Sequence, residues 1–134
     1  MPVTSLCRTA RAVIVATALI LLSACSRTPS VADARKAFED RWEHKIKNGD
    51  FEIVSFKKLD AQPQEIFGVK YYTLEYEVEV RHLRDLIHRT ELLEYVAGPF
   101  DKSHRKGEIQ RVRGVVTFTR TEKGWRANSI QPGL

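Results

Sequence analysis

The chain has 134 residues, a formal net charge of +5 at pH 7 and a hydrophobic share of 43%. A chain of that length makes one domain with a single modest core, which excludes multidomain machinery. So mild a basicity, behind an export-type leader, argues against nucleic-acid binding.

Taken in chain order, Arg8 and Arg11 precede an apolar run from Ala12 to Leu22, and small residues follow it. This is the three-part layout of an export signal. The run is much shorter than the about 20 apolar residues a bilayer-spanning helix needs, so it reads as a signal core and not as a permanent span. Leu22-Ser23-Ala24-Cys25 resembles the lipobox of bacterial lipoprotein precursors. The resemblance implies cleavage between Ala24 and Cys25, diacylglycerol on the Cys25 thiol, and further acylation of the freed amine. An ordinary secretory signal leaving a thiol at Cys25, and an uncleaved signal anchor, are the competing readings. Two or three acyl chains hold a protein on a bilayer essentially permanently, since each buried methylene contributes about 0.8 kcal/mol. Ser26 follows the cysteine. By resemblance to Gram-negative sorting rules, the lack of Asp at that place implies the outer membrane, facing the periplasm, over the inner membrane.

The chain contains two cysteines, of which Cys7 lies in the leader and Cys25 is consumed by lipid. The expected mature domain therefore has no thiol for a disulfide, a nucleophile or a metal. Loss of residues 1–24 also removes Arg8 and Arg11. Residues 25–30 form a lipidated cysteine and short tether, spanning at most roughly 15–18 Å between Cys25 and Ser30. A single soluble domain over residues 31–134 would thus sit close to the membrane surface.

From Val31 to Lys47, Val31, Ala34, Phe38, Trp42 and Ile46 recur at three- and four-residue steps, the stripe of an amphipathic helix. Ser30 suits the N-cap with Asp33 three positions on, and Asn48-Gly49 suits the stop. Residues 51–59 are rich in β-formers and read as a strand, with a turn or loop over 62–68. Val69 to Arg81 alternates: Tyr72, Leu74, Tyr76, Val78 and Val80 face one way and Tyr71, Thr73, Glu75, Glu77 and Glu79 the other. Residues 82–97 fit a helical stripe through Leu83, Leu86, Ile87, Thr90, Leu93 and Val96, although Leu92–Ala97 also fits a short strand; the helix is the expectation. Ala97–Lys106 reads as a loop.

Ile109 to Thr121 alternates again, with Val112, Val116 and Phe118 on one face and Arg111, Arg113, Thr117 and Thr119 on the other. Gly114 marks a bulge or a close approach of backbone. Thr121-Glu122-Lys123-Gly124 is a short turn, and Trp125–Ile130 returns as the last strand. One helix followed by a mostly antiparallel sheet buried on one face is an α+β layout, with an N-terminal helix packed on a curved sheet. Order and length resemble the cystatin-like roll, including its nuclear-transport-factor-like members. The segments Gly107–Ala127 and Gly68–Glu77 resemble those of small lipoproteins of that shape.

Tyr72, Tyr76, Phe118 and Trp125 are candidates for a pocket between helix and sheet, or for core. Glu75, Glu77 and Glu79, about 6.5–7 Å apart on one strand face, suit a divalent cation, a paired-carboxylate acid and base, or an ion-pair ladder with Arg111 and Arg113. A solvated charged face is the simplest expectation. His82, Asp85 and His88 cannot all converge on a regular helix or strand, and His44 and His104 lack sequence neighbours, so no metal site is expected. Arg105, Lys106, Arg111 and Arg113, within a wider basic set that includes Arg120, Lys123 and Arg126, suit anionic lipid or an acidic partner. No nucleophile elbow, phosphate-cradling loop or dinucleotide fingerprint occurs, so no cofactor is expected. The expectation is a membrane-anchored, non-enzymatic binding or assembly module contacting an envelope protein. The alternative is a small-molecule-binding or enzymatic roll.

Overall fold

Ser30 opens the folded chain by capping it. In the computed structural model, which describes residues 27–133, helix α1 spans Val31–Arg41. The lipobox, with Ala24 and Cys25, lies outside the described residues. The Ser30 hydroxyl accepts the Asp33 amide at 3.3 Å, and the Asp33 carboxylate accepts the Ser30 amide at 2.7 Å. These reciprocal bonds satisfy donors that the first helical turn leaves open. The Ser30 backbone amide foremost, and then the Ser30 hydroxyl donating to the Asp33 carboxylate at 2.7 Å, hold that carboxyl below its ordinary range.

The expected helix over 31–47 is interrupted. Trp42 leaves helical backbone at φ −109° and ψ 17°, and a short helix α2 follows over Glu43–Lys47. The indole packs on Phe100, ring centroids 5.0 Å apart, a tertiary contact that no local stripe contains. Gly49, at φ 72°, then ends α2 in the left-handed region that glycine enters without steric cost.

Four strands follow: β1 Phe51–Ile66, β2 Val69–His82, β3 Ile109–Thr121 and β4 Gly124–Pro132. They form one antiparallel sheet in the order β1-β2-β3-β4, so each strand pairs with its neighbour in sequence. β3 agrees with the sequence expectation end to end, and β4 runs slightly longer than expected. The loop expected over 62–68 is instead strand as far as Ile66, with only Phe67-Gly68 turning. Pro63 sits inside this strand opposite Tyr72, and β1 tolerates it because an edge strand need not donate on its outer side. The β1–β2 register shifts at Val54 and again at Leu59, and such bulges bend the strand and raise its twist.

The helix expected over 82–97 shrinks to α3, Glu91–Val96, capped by the Thr90 hydroxyl and burying none of its residues. Leu86, the middle of the supposed stripe, makes an isolated antiparallel bridge with His104 instead. With that residue engaged and no surface facing Leu92, Tyr95 or Val96, a longer helix would have nothing to pack against.

One hydrophobic cluster joins α1 to the sheet: Ala34 and Phe38 from the helix, Leu74, Tyr76, Val78 and Val80 from β2, and Val112, Val116 and Phe118 from β3. Phe38 is its centre, with its ring 5.9 Å from Phe56, 5.9 Å from Tyr76 and 5.7 Å from Phe100. The edge-on geometries at Tyr76 and Phe100 suit the ring quadrupole. Gly114 is buried beneath them, and a Cβ there would lie 2.4 Å from the Gln131 carbonyl oxygen and 2.5 Å from the Tyr76 hydroxyl. The glycine is thus a close approach of backbone and side chain, and the bulge between β3 and β4 falls at Asn128 instead.

Candidate functional site

The alternation of β2 and β3 sorts the candidate residues onto two faces. Tyr76 and Phe118 are buried on the helix-facing side, while Tyr72 and Trp125 are half-buried at its rim with ring centroids 6.0 Å apart. Phe56 stacks on Tyr76 at 4.9 Å, so aromatic rings fill the space between α1 and the sheet. Burial pushes the Tyr76 phenol well above its ordinary pKa, and its hydroxyl finds no partner among the described residues. Beside Phe118 and Trp125 lies an open hollow of about 210 Å³, bordered by Arg27, Thr28 and Pro29 of the tether.

On the opposite face, Glu77 pairs across the strands with Arg113 and Glu79 with Arg111. Arg113 Nε donates to Glu77 at 3.0 Å, and Arg111 Nη2 donates to Glu79 at 2.6 Å while its Nε stands 3.6 Å from Glu77. The Ser55 hydroxyl from β1 adds a bond to Glu79 at 3.1 Å. Arg111 first and Ser55 second hold the Glu79 carboxyl below its ordinary range, and Glu79 in turn raises the Arg111 guanidinium. The glutamates are therefore an ion-pair ladder rather than a freely solvated row, and only Glu75 stays exposed without such a pairing. Arg111 and Arg113 are engaged in this ladder, whereas Arg105 and Lys106 sit in the loop before β3, where the Lys106 amide donates to Asp85 at 2.7 Å.

The third constellation escaped sequence reasoning. The Leu86–His104 bridge lays the His104 ring on His82, centroids 3.4 Å apart and 17° from parallel. His82 is buried at the end of β2, and its Nε2 lies 2.9 Å from the Gln110 side-chain oxygen. Because that oxygen can only accept, Nε2 carries the proton, and neutral His82 leaves Nδ1 as a buried acceptor without a partner. Burial lowers the His82 pKa, in keeping with a neutral ring. A hollow of about 290 Å³ opens here, walled by Lys45, Asp50, Arg84, Asp85 and Asp101. Four of these five charges are matched, Lys45 pairing with Asp101 and Arg84 lying 3.6 Å from Asp50, while Asp85 accepts the Lys106 backbone amide. The one signal in the sequence was parity, since His82 continues the inward-facing series 74, 76, 78 and 80. Among the described residues no group of three or more His, Cys, Asp or Glu side chains is arranged to hold a metal ion.

Apolar side chains also remain uncovered. Ile66, Phe67 and Val69 surround the β1–β2 turn, and Leu92, Tyr95 and Val96 stand out from α3 at the other end of the sheet. Among the described residues no helix is long and apolar enough to cross a membrane. Comparison with protein families, with curated proteins and with solved structures finds no match for the chain.

Proposed function

We propose that the chain is a lipid-anchored protein of the bacterial envelope, held through acylated Cys25 at the periplasmic face of the outer membrane. Its domain, in this reading, is a cystatin-like roll that works as a binding or assembly module for an envelope protein. The observation that carries the choice is that aromatic rings fill the centre of the interface between α1 and the sheet, while the hollows of about 500 Å³ toward β4 and about 330 Å³ toward β1 lie open at its margins. A roll that takes a small molecule there needs a cavity of several hundred Å³ with converging polar groups. That space holds the rings of Phe38, Phe56, Tyr76 and Phe100, and the tyrosine hydroxyl within it meets no polar group. The outer face, by contrast, presents the fixed charges of the Glu77, Glu79, Arg111 and Arg113 ladder, and prearranged charge favours recognition of a complementary surface. A helix preceding a bulged antiparallel meander supports the roll, and the lipobox supports the anchor.

Two measurements test the proposal. Photo-crosslinking residues placed at Lys57 and Ser129, exposed on the outer face, should yield a discrete adduct with an envelope protein in intact cells. Recovery of no adduct above background from either position rejects the module. Intact-mass analysis should find a chain starting at an acylated Cys25, and a retained leader or bare thiol rejects the anchor.

A further inference from the structure

We propose that the tip of the β1–β2 hairpin, Ile66-Phe67-Gly68-Val69, rests in the lipid interface and orients the domain on its membrane. This rests on the lipid-anchor reading above. The first observation is a local energetic conflict. Phe67 and Gly68 are the two central residues of a two-residue hairpin turn, at φ 50° and 78°. Turns with both central φ positive favour Asn, Asp or Gly, and a bulky aromatic in the left-handed region is strained. The Phe67 ring gains nothing locally in return, for it is fully exposed, and Ile66 and Val69 beside it are also exposed. Strain without local compensation points to a use outside the domain.

The second observation is where the tether lies. Arg27, Thr28 and Pro29 border the same hollow as Gly124 and Trp125, at the β3–β4 turn. Cys25 is two residues from Arg27, which limits its reach to about 7 Å beyond it. On the other side, β2 pairs with β3 as far as Tyr71 opposite Thr119; two residues on, β2 begins at Val69 and β3 ends at Thr121. The Phe67-Gly68 and Glu122-Lys123 turns therefore stand at one end of the sheet, separated by about two strand spacings, or about 10 Å. The acylated residue and the apolar tip meet the bilayer from the same side. The exposed apolar residues of α3 lie past the opposite ends of β2 and β3 and so face away from the lipid. Acyl chains supply the hold, and a second contact at the interface, set apart from them, fixes the orientation of the domain.

The test uses the full processed protein in phosphatidylethanolamine and phosphatidylglycerol vesicles whose acyl chains carry bromine. Phe67→Trp and, as the distal control, Tyr95→Trp are each compared with the emission of Trp42 and Trp125 in the unaltered chain. Bromine should quench the added Phe67→Trp emission at least twofold more than that of Tyr95→Trp. Equal quenching overturns the proposal, and this includes the case in which a protein partner covers the tip. Phe67→Asn should melt no lower than the unaltered chain, because the ring supports nothing within the fold; a lower melting temperature would assign Phe67 a structural role and overturn the proposal. Intact mass is read on the same samples. Acylated Cys25 with an unquenched tip removes this inference alone, whereas an unacylated chain removes the anchor and the inference together.

Discussion

Replacing Gly114 by alanine tests how tightly β3 is pinned between β2 and β4. Its Cβ would need to sit 2.4 Å from the Gln131 carbonyl oxygen and 2.5 Å from the Tyr76 hydroxyl, so both neighbours, or β3 between them, must move by close to an ångström. The Gln131 oxygen is backbone on β4 and Tyr76 is fully buried, so neither yields by a simple rotamer change. Overpacking of this kind costs about 1–3 kcal/mol. Against it stands a gain of about 0.4–1 kcal/mol from the lower entropy of the unfolded alanine chain. Gly114 does not have a positive φ, so no backbone strain adds to the balance. The net loss is about 1–2 kcal/mol. With a urea m-value of about 1–3 kcal/mol per molar, the unfolding midpoint falls by about 1 M. Tyr76→Phe removes one of the three clashing atoms, an unpartnered buried hydroxyl, so alone it is neutral or mildly stabilising. Combined with Gly114→Ala it recovers only a small part of the loss, because the Gln131 oxygen and the ring Cζ, 2.7 Å from the added Cβ, both remain. Urea titration followed by tryptophan fluorescence reads all three variants. A Gly114→Ala midpoint equal to that of the unaltered chain would refute the close-approach argument.

Phe38→Ala empties the centre of the aromatic cluster and should cost about 3–5 kcal/mol, read as a fall in the urea midpoint with little change in slope. Ser30→Ala removes both bonds of the Ser30 hydroxyl, leaves the Ser30 backbone amide on the Asp33 carboxylate, and should cost about 1 kcal/mol, measured by thermal melting; no change would mean that this backbone half caps the helix unaided. The lowered pKa of His82 makes stability pH-dependent, because an unfolded chain accepts a proton near pH 6.5 that the folded ring refuses. Stability is therefore complete above about pH 6.5 and declines as pH falls from there toward the folded pKa; a His82→Gln chain whose urea midpoint falls just as steeply over that interval would contradict the assignment.

Local pattern sufficed where a residue's environment is set by its neighbours in sequence. The capping box at Ser30 and Asp33, the two-residue alternation of β2 and β3, and the stop at Gly49 all follow from short-range geometry. Failure came where a contact from far along the chain decided. Trp42 breaks the helix as it packs on Phe100, and Leu86 leaves a helical stripe to pair with His104. Pro63 sits within a strand because that strand is an edge, a property of sheet order that no window of sequence contains. The histidine stack likewise depends on a bridge between residues 86 and 104. The sequence by itself therefore determined the caps, the strand faces and the α+β class, since these rest on periodicity and local hydrogen bonding. Only the tertiary structure decided that the aromatic residues fill the space beneath α1, that Glu77 and Glu79 meet Arg113 and Arg111, and that the tether and the Phe67 turn share one end. Each of those needs strands distant in sequence to be brought side by side, which is the work of long-range packing.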